Sequence, residues 1–211
     1  MSRGEGMRGR AARSARGMHD EQTLADVLSR AARGDESAWR AVVGEYSRRV
    51  YGLLRSQGAN PDLAEEITQS VFCTLAAKLP EYVEGGRFES WLFRIAMNRL
   101  RDEMRRRKRQ ARNAGDEPLD ASAARPVRRD AGVESAESVD RLRAAMARLS
   151  EADRELVDLR HIGGMSFKAL SDYFEEPVGT LLARHHRALR KLRTMLEEAG
   201  LEAQDLGGEE R

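Results

Sequence analysis

The amino-acid sequence predicts an all-α fold in which two small helical domains are joined by a flexible linker. Three observations predict it. The 211 residues are 34% charged and only 5% aromatic, and Ala, Leu, Glu and Arg outnumber the β-branched and aromatic residues that favour strands. Apolar residues recur at three- and four-residue spacing through two long blocks. Between those blocks, residues 110–137 lose the period and hold Pro118 and Pro126 among Ala, Asp, Glu, Gly and Ser, which is linker composition. A large buried α/β sheet is therefore excluded, and with it the commonest enzyme scaffolds.

The elements follow in order. Residues 1–19 are mostly Gly, Arg, Ala and Ser with little apolar content, and read as a disordered basic arm. A first domain spans 20–109. Leu24, Val27, Leu28 and Ala31 give a first helix, Gly34-Asp35 breaks it, and Trp39, Val42, Val43, Tyr46, Val50 and Leu54 give a second. After the loop SQGANPD, Leu63, Ile67, Val71 and Leu75 run at four-residue intervals until Pro80 stops a third helix. The loop PEYVEGGRF leads to a long helix from Glu89 to about Arg109. Phe93, Met97, Leu100 and Met104 form its apolar edge, and Arg94, Asn98, Arg101, Arg105 and Lys108 repeat that spacing one residue later as a basic edge.

A second domain spans 138–198. It opens with Val139, Leu142, Met146 and Leu149, then places Ser150 as the cap of a helix holding Leu156, Val157 and Leu159. HIGGM is a turn, Ser166 caps the short helix FKALSDYF, and a last helix runs from Val178 to about Glu198. Residues 199–211 read as an acidic, frayed tail.

Counting 37 Lys and Arg against 35 Asp and Glu hides a segregation. Between Arg99 and Arg112 there are eight Lys/Arg against Asp102 and Glu103, and between Arg184 and Arg193 there are five, two histidines and no acid. One such helix is as readily a solvated face as a binding surface. Two of them, the second in a helix-turn-helix layout, point to a polyanion. Val178, Leu182, His185, Leu189, Leu192 and Leu196 form the apolar stripe of the last helix, so His185 is a core-edge residue. Thr180, Arg184, Arg187 and Lys191 face the other way, with His186, Arg190 and Arg193 beside them. No stretch reaches the roughly 20 apolar residues of a membrane span, and no apolar signal core follows the basic N-terminus. The expected protein is cytoplasmic, without membrane insertion. The lone Cys73 and four scattered histidines provide no disulfide and no zinc ligand set, so neither metal nor cofactor is expected.

Two signatures carry a family resemblance: AEEITQSVFCTLAAKLPEY with FESWLFRIAMNRLRDEMRRRKR, then LSEADRELVDLRHIGGMSFKALSDYF with PVGTLLARHHRALRKL. Over about residues 24–195 the chain resembles an extracytoplasmic-function (ECF) sigma factor of the sigma-70 family. The resemblance implies a non-enzymatic protein that joins core RNA polymerase and directs promoter-specific transcription initiation. It implies that the helix with Glu65, Glu66, Gln69 and Phe72 docks on the clamp coiled coil of the largest polymerase subunit, with Phe72 either an anchor or core. It implies that Phe88, Trp91, Asn98, Arg99, Asp102, Arg105 and Arg106 meet the −10 element during strand opening, although Phe88 and Trp91 read equally well as staples of the helix. For the −35 element the implied contacts are Ser166, Thr180, Arg184, His186, Arg187, Arg190 and Lys191. Polymerase flap, promoter DNA and an anti-sigma factor are the implied partners. Glu175-Glu176 stand where the family usually has Gly in the turn, and Leu182-Ala183 replace a Lys-Ser pair, so an altered −35 sequence is expected. Two rival readings are a stand-alone helix-turn-helix regulator and a sigma-like adaptor that does not initiate transcription.

Overall fold

The structure is a computed structural model and describes residues 24–114 and 133–198. The arm expected at 1–19, the centre of the expected linker and the tail expected at 199–211 lie outside the described residues. Among the described residues all regular structure is helical. The order is α1 (24–32), α2 (Glu36–Ser56), α3 (Pro61–Lys78), a single 3-10 turn (Leu79–Glu81), α4 (Phe88–Ala114), α5 (Val133–Ala147), α6 (Glu151–His161), α7 (Phe167–Phe174) and α8 (Val178–Glu198).

Local chemistry sets the ends. Asp35 accepts from the backbone N–H groups of Ser37 and Ala38 at the start of α2. Asn60 accepts from Leu63 N–H, with Pro61 in the first turn, at the start of α3. Ser150 and Ser166 cap α6 and α7 as their positions predict, accepting from Asp153 and Ala169. Helix takes both edges of the segment expected to be linker: α4 continues through Gln110–Ala114, and α5 starts at Val133. The reason is propensity, since QARNA and VESAE consist largely of good helix formers.

The two helical regions pack on one another, which the periodicity does not reveal. Leu156, Leu159, Met165, Leu170 and Leu181 belong to the same buried cluster as Leu53, Leu54, Phe88, Phe93 and Met97. A second, smaller cluster joins α5, α6 and α8 through Leu149, Val157, Leu192 and Met195. Two glycines allow the close approach. A Cβ on Gly52, in the middle of α2, would meet Ile162 Cγ2 at 3.0 Å, and one on Gly164, at φ +66°, would meet the Arg49 guanidinium at 3.2 Å. Arg49 itself donates to the carbonyl of Gly163 from Nε at 2.7 Å and ion-pairs with Glu89 at 2.7 Å. Its guanidinium lies over the ring of Tyr46, 4.7 Å from the centroid.

Asp158 is buried where α6 meets α2, and Gln57 Nε2 donates to its Oδ2 at 2.7 Å. Burial pushes its carboxyl from the ordinary 3.8 up to about 6, against the downward pull of hydrogen bonds from Ser56 and Gln57 and of the charge on Arg154. A raised pKa means that the native state binds the proton more tightly than the unfolded state. The stabilisation is complete below pH 4 and is lost as the pH rises to about 6. Asp158→Asn should remove that component: relative to wild type the variant gains about 2–3 kcal/mol by pH 7 and almost nothing at pH 4. Urea unfolding at several pH values measures the difference, and a gain independent of pH would contradict the assignment.

Candidate nucleic-acid interface

The C-terminal region builds a helix-turn-helix from α7, the turn Glu175–Pro177 and α8. Ser171 Oγ donates to the carbonyl of Glu176 at 2.6 Å and fixes the turn. Glu175 holds φ +58°, a left-handed conformation in which a residue with a Cβ is strained by about 1–2 kcal/mol. On α8 the buried stripe is Leu181, His185, Ala188, Leu192, Met195 and Leu196. It is turned away from the expected line through Val178, Leu182 and Leu189, because α8 packs into the angle between α5, α6 and α7. The turn leaves Val178 exposed and carries Arg184 to the edge of the buried face.

Arg184 is consequently fastened inside the region. It ion-pairs with Glu176 at 2.6 Å and Asp153 at 3.3 Å, lies over the Phe174 ring, and is 17% exposed. Ser166 is committed to capping α7, its Oγ accepting from Ala169 N–H. Thr180, His186, Arg187, Arg190 and Lys191 are exposed together along the outer face. His185 is buried, as its place on the apolar stripe predicts, with its Nε2 2.9 Å from His161 Nε2 and the two rings stacked. Burial, then the charges of His161, His186 and Arg160, lower the His185 pKa to about 4, so one ring donates to the other in neutral form at physiological pH.

The N-terminal region presents α4. Phe88 is 1% exposed at the start of that helix, with its ring edge-on to Tyr46, Tyr82 and Trp91. Of its two readings, the staple describes it. Trp91 is half-buried and stacks flat on Tyr82, with centroids 4.7 Å apart. Beside this pair the loop tip leaves Val83 87% exposed. Further along α4, Asn98, Asp102, Arg105 and Arg106 are exposed, while Arg99 Nη2 donates to Thr74 Oγ1. Arg106 and Arg107 share Glu103, whose carboxyl their hydrogen bonds hold well below the usual carboxylate range.

On α3, Glu65, Glu66 and Gln69 are exposed, and Gln69 donates to Glu65. Phe72 points the other way, buried and edge-on to Trp39, so core is the reading that fits it.

Sequence reasoning missed the polar residues where the two regions meet. Arg101 Nη2 lies 2.5 and 2.7 Å from the two carboxylate oxygens of the buried Glu155, and Tyr173 OH donates to the same carboxylate at 2.6 Å. Arg94 donates to the carbonyls of Asp172 and Tyr173, at the end of α7, and pairs with Glu175 at 3.4 Å. A faint signal existed: Glu155 and Asp158 interrupt the apolar run Leu156, Val157, Leu159. Such acids on a core face require partners from another element.

Among the described residues no group of three or more His, Cys, Asp or Glu is placed to hold a metal ion, and no described helix is long and apolar enough to cross a membrane. Fold and surface together define an all-α protein of two helical regions, the second a helix-turn-helix, with basic faces on α4 and α8.

Comparison with known proteins narrows this class. Residues 42–110 match the model of sigma-70 region 2 and residues 140–192 that of sigma-70 region 4. The ECF RNA polymerase sigma factor SigE of Mycolicibacterium smegmatis is 31% identical over 180 residues, covering 84% of this chain and 69% of that protein. SigW of Bacillus subtilis is 26% identical over 185 residues, covering 84% and 99%. RpoE of Cereibacter sphaeroides is 30% identical over 173 residues, covering 79% and 92%. The chain belongs to the sigma-70 family of RNA polymerase sigma factors, in its ECF group. Its fold is that of CnrH in complex with the cytosolic domain of CnrY, with a TM-score of 0.61 and 21% identity over 82% of this chain and 97% of that one. The sigma factor RpoE of Bartonella quintana, solved with the anti-sigma factor NepR, gives 0.60 and 22% over 75% and 96%. A stand-alone helix-turn-helix regulator leaves the match at 42–110 without a role.

Proposed function

We propose that this sigma factor divides promoter reading between its two basic faces and docks on polymerase through α3. The exposed face of α8, with Thr180, His186, Arg187, Arg190 and Lys191, reads the −35 element as duplex. Trp91, Asn98, Arg99, Asp102, Arg105 and Arg106 on α4 hold the −10 element as it opens, with Trp91 and Tyr82 as the stacking surface. Glu65, Glu66 and Gln69 contact the clamp coiled coil of the largest subunit, and the C-terminal region contacts the flap. The functional units are 20–109 and 138–198, flanked by the arm at 1–19, the linker at 110–137 and the tail at 199–211. RNA synthesis belongs to the polymerase; this chain contributes no catalytic residue or cofactor and acts in the cytoplasm. An anti-sigma factor is its expected regulator, a reading supported by the sigma factor RpoE of like fold, which was solved with the anti-sigma factor NepR.

The observation that carries the proposal is the exposure of Arg105 and Arg106 on α4 and of Arg187, Arg190 and Lys191 on α8, within the stretches matched by regions 2 and 4. Reconstitution with core RNA polymerase, followed by run-off transcription on a genomic promoter library, tests it. Specific transcripts are expected, and a stable complex that makes none would favour the adaptor reading. Glu66→Ala with Gln69→Ala should weaken core binding about tenfold, which is about 1.4 kcal/mol, while leaving the melting temperature unchanged. Equal core affinity in a titration would remove these two side chains from the docking surface.

A further inference from the structure

The outward face of α8 changes character along its length. Its later turns are polar and basic, with His186, Arg187, Arg190, Lys191 and Arg193 exposed. Its start, residues 178–183, holds no charged side chain, and Val178, Thr180 and Ala183 are exposed there. Arg184, the first cation of the helix, is drawn away from that segment by Glu176 at 2.6 Å and Asp153 at 3.3 Å. The methyl groups of Thr180 and Ala183 are thus left open to whatever approaches this end of the helix.

The spacing puts those methyl groups in line with the cations. Thr180, Ala183, Arg187 and Arg190 follow one another at intervals of three, four and three residues, on the side of α8 opposite the buried stripe of Leu181, His185, Ala188 and Leu192. Residues three apart on a helix have Cβ atoms about 5–6 Å apart. The line from Thr180 to Arg190 covers about 15 Å, the rise of about four base pairs. In a helix-turn-helix the first residues of the second helix meet base edges, so Thr180 and Ala183 occupy the reading end of this line.

An uncharged, methyl-bearing surface can read only one feature of the major groove. Guanine, adenine and cytosine present hydrogen-bond donors and acceptors there, whereas thymine adds a 5-methyl group. A methyl group pressed on guanine O6 or cytosine N4 displaces water and offers no partner, which is a penalty. Against the thymine methyl it buries apolar surface on both sides, which is a gain. Attraction to one base and a penalty against the others act in the same direction.

We propose that the methyl groups of Thr180 and Ala183 are specificity determinants that select thymine in the −35 duplex through its 5-methyl group. The side chains from His186 to Arg193 hold the phosphates and neighbouring bases. The inference rests on the reading of α8 as the −35 helix and names the base that its first turns select. It also gives the departure at Leu182-Ala183 a consequence: where the family usually has the hydroxyl of Ser, this chain offers a methyl group.

The test uses holoenzyme reconstituted from the full chain and core polymerase. Binding sites are selected from promoter DNA randomised in the −35 element. Each thymine of the selected element, on either strand, is then replaced singly by deoxyuridine, which removes the 5-methyl group and keeps every hydrogen-bonding group. At least one replacement should weaken holoenzyme binding about fourfold, the worth of one buried methyl-sized group. Thr180→Ser and Ala183→Gly each delete one methyl group from the protein, and in one of them the loss at that thymine should shrink below twofold, because the contact is already gone. Thermal melting verifies that both variants fold. If Ala183→Gly does not, Thr180→Ser, which keeps the hydroxyl, carries the test. An element in which no thymine responds to deoxyuridine overturns the proposal and assigns the selectivity to hydrogen bonds or groove shape. A loss that persists undiminished in the folded variants places the methyl contact on another residue and overturns it too. The underlying reading is tested separately by Arg187→Ala with Arg190→Ala and Lys191→Ala. Wild-type promoter binding by that triple variant refutes α8 as the −35 helix, and the proposal with it. Weakened binding by the triple variant, with no dependence on the thymine methyl, keeps the helix and removes only the base assignment.

Discussion

Replacing Phe88 by alanine is expected to lower the unfolding free energy by about 3–5 kcal/mol and the melting temperature by roughly 6–20 °C. The ring is 1% exposed and stands at the meeting point of Tyr46, Tyr82 and Trp91, so its loss leaves a cavity that three rigid aromatics cannot close. Phe88→Leu fills most of that volume and should recover most of the stability and support run-off transcription. Trp91→Ala should behave differently. That side chain is half-buried against Tyr82, so its removal costs less stability while promoter opening falls sharply. Melting curves and permanganate footprinting of the opened promoter separate the two residues. A Phe88→Ala protein that melts like wild type yet fails to open DNA would reverse the assignment and make Phe88 a base contact.

The second large effect is expected on α8. Arg187→Ala, Arg190→Ala and Lys191→Ala together remove three exposed cations from one face, and should reduce the slope of log affinity against log salt by about 2.7 in holoenzyme binding to promoter DNA. Affinity near physiological salt should drop by about a hundredfold or more. Arg184→Ala is the internal control. Its guanidinium is engaged by Glu176 and Asp153, so that variant should lose about 1–3 kcal/mol of stability with little change in salt slope. A salt slope that falls by about one with Arg184→Ala, at unchanged stability, would return this residue to the DNA face.

Much of this molecule is legible in its sequence, and the boundary of legibility is physical. Caps at Ser150 and Ser166, the stop at Pro80 and the stripe through Phe93, Met97 and Leu100 are local facts, set by backbone chemistry and a 3.6-residue period, and they recur in the structure. The rotation of α8 is not local. Leu182 and Leu189 fit the apolar period as well as Leu181 and Ala188 do, and only the position of α6 and α7 selects between them. That rotation decides whether Arg184 faces DNA or Asp153. Arg94 and Arg101 show the same limit: their spacing marks them as a basic edge, but whether that edge meets water, phosphate or carboxylate depends on a packing between regions that no single-helix period encodes. The acidic turn Glu175-Glu176 stands out in the sequence as a departure from the family pattern, and its partners, Arg94 and Arg184, appear only in three dimensions.

The shared core has a consequence for the lifetime of the protein in the cell. Leu156, Leu159, Met165 and Leu170 are buried in a cluster that includes the helices of the first region. Any separation of the two regions would bare part of that apolar surface. An open chain without polymerase would expose hydrophobic surface and loosened helix ends, the features that proteases and aggregation select. The packed arrangement keeps this surface covered, so the protein is expected to resist proteolysis while its two regions stay together.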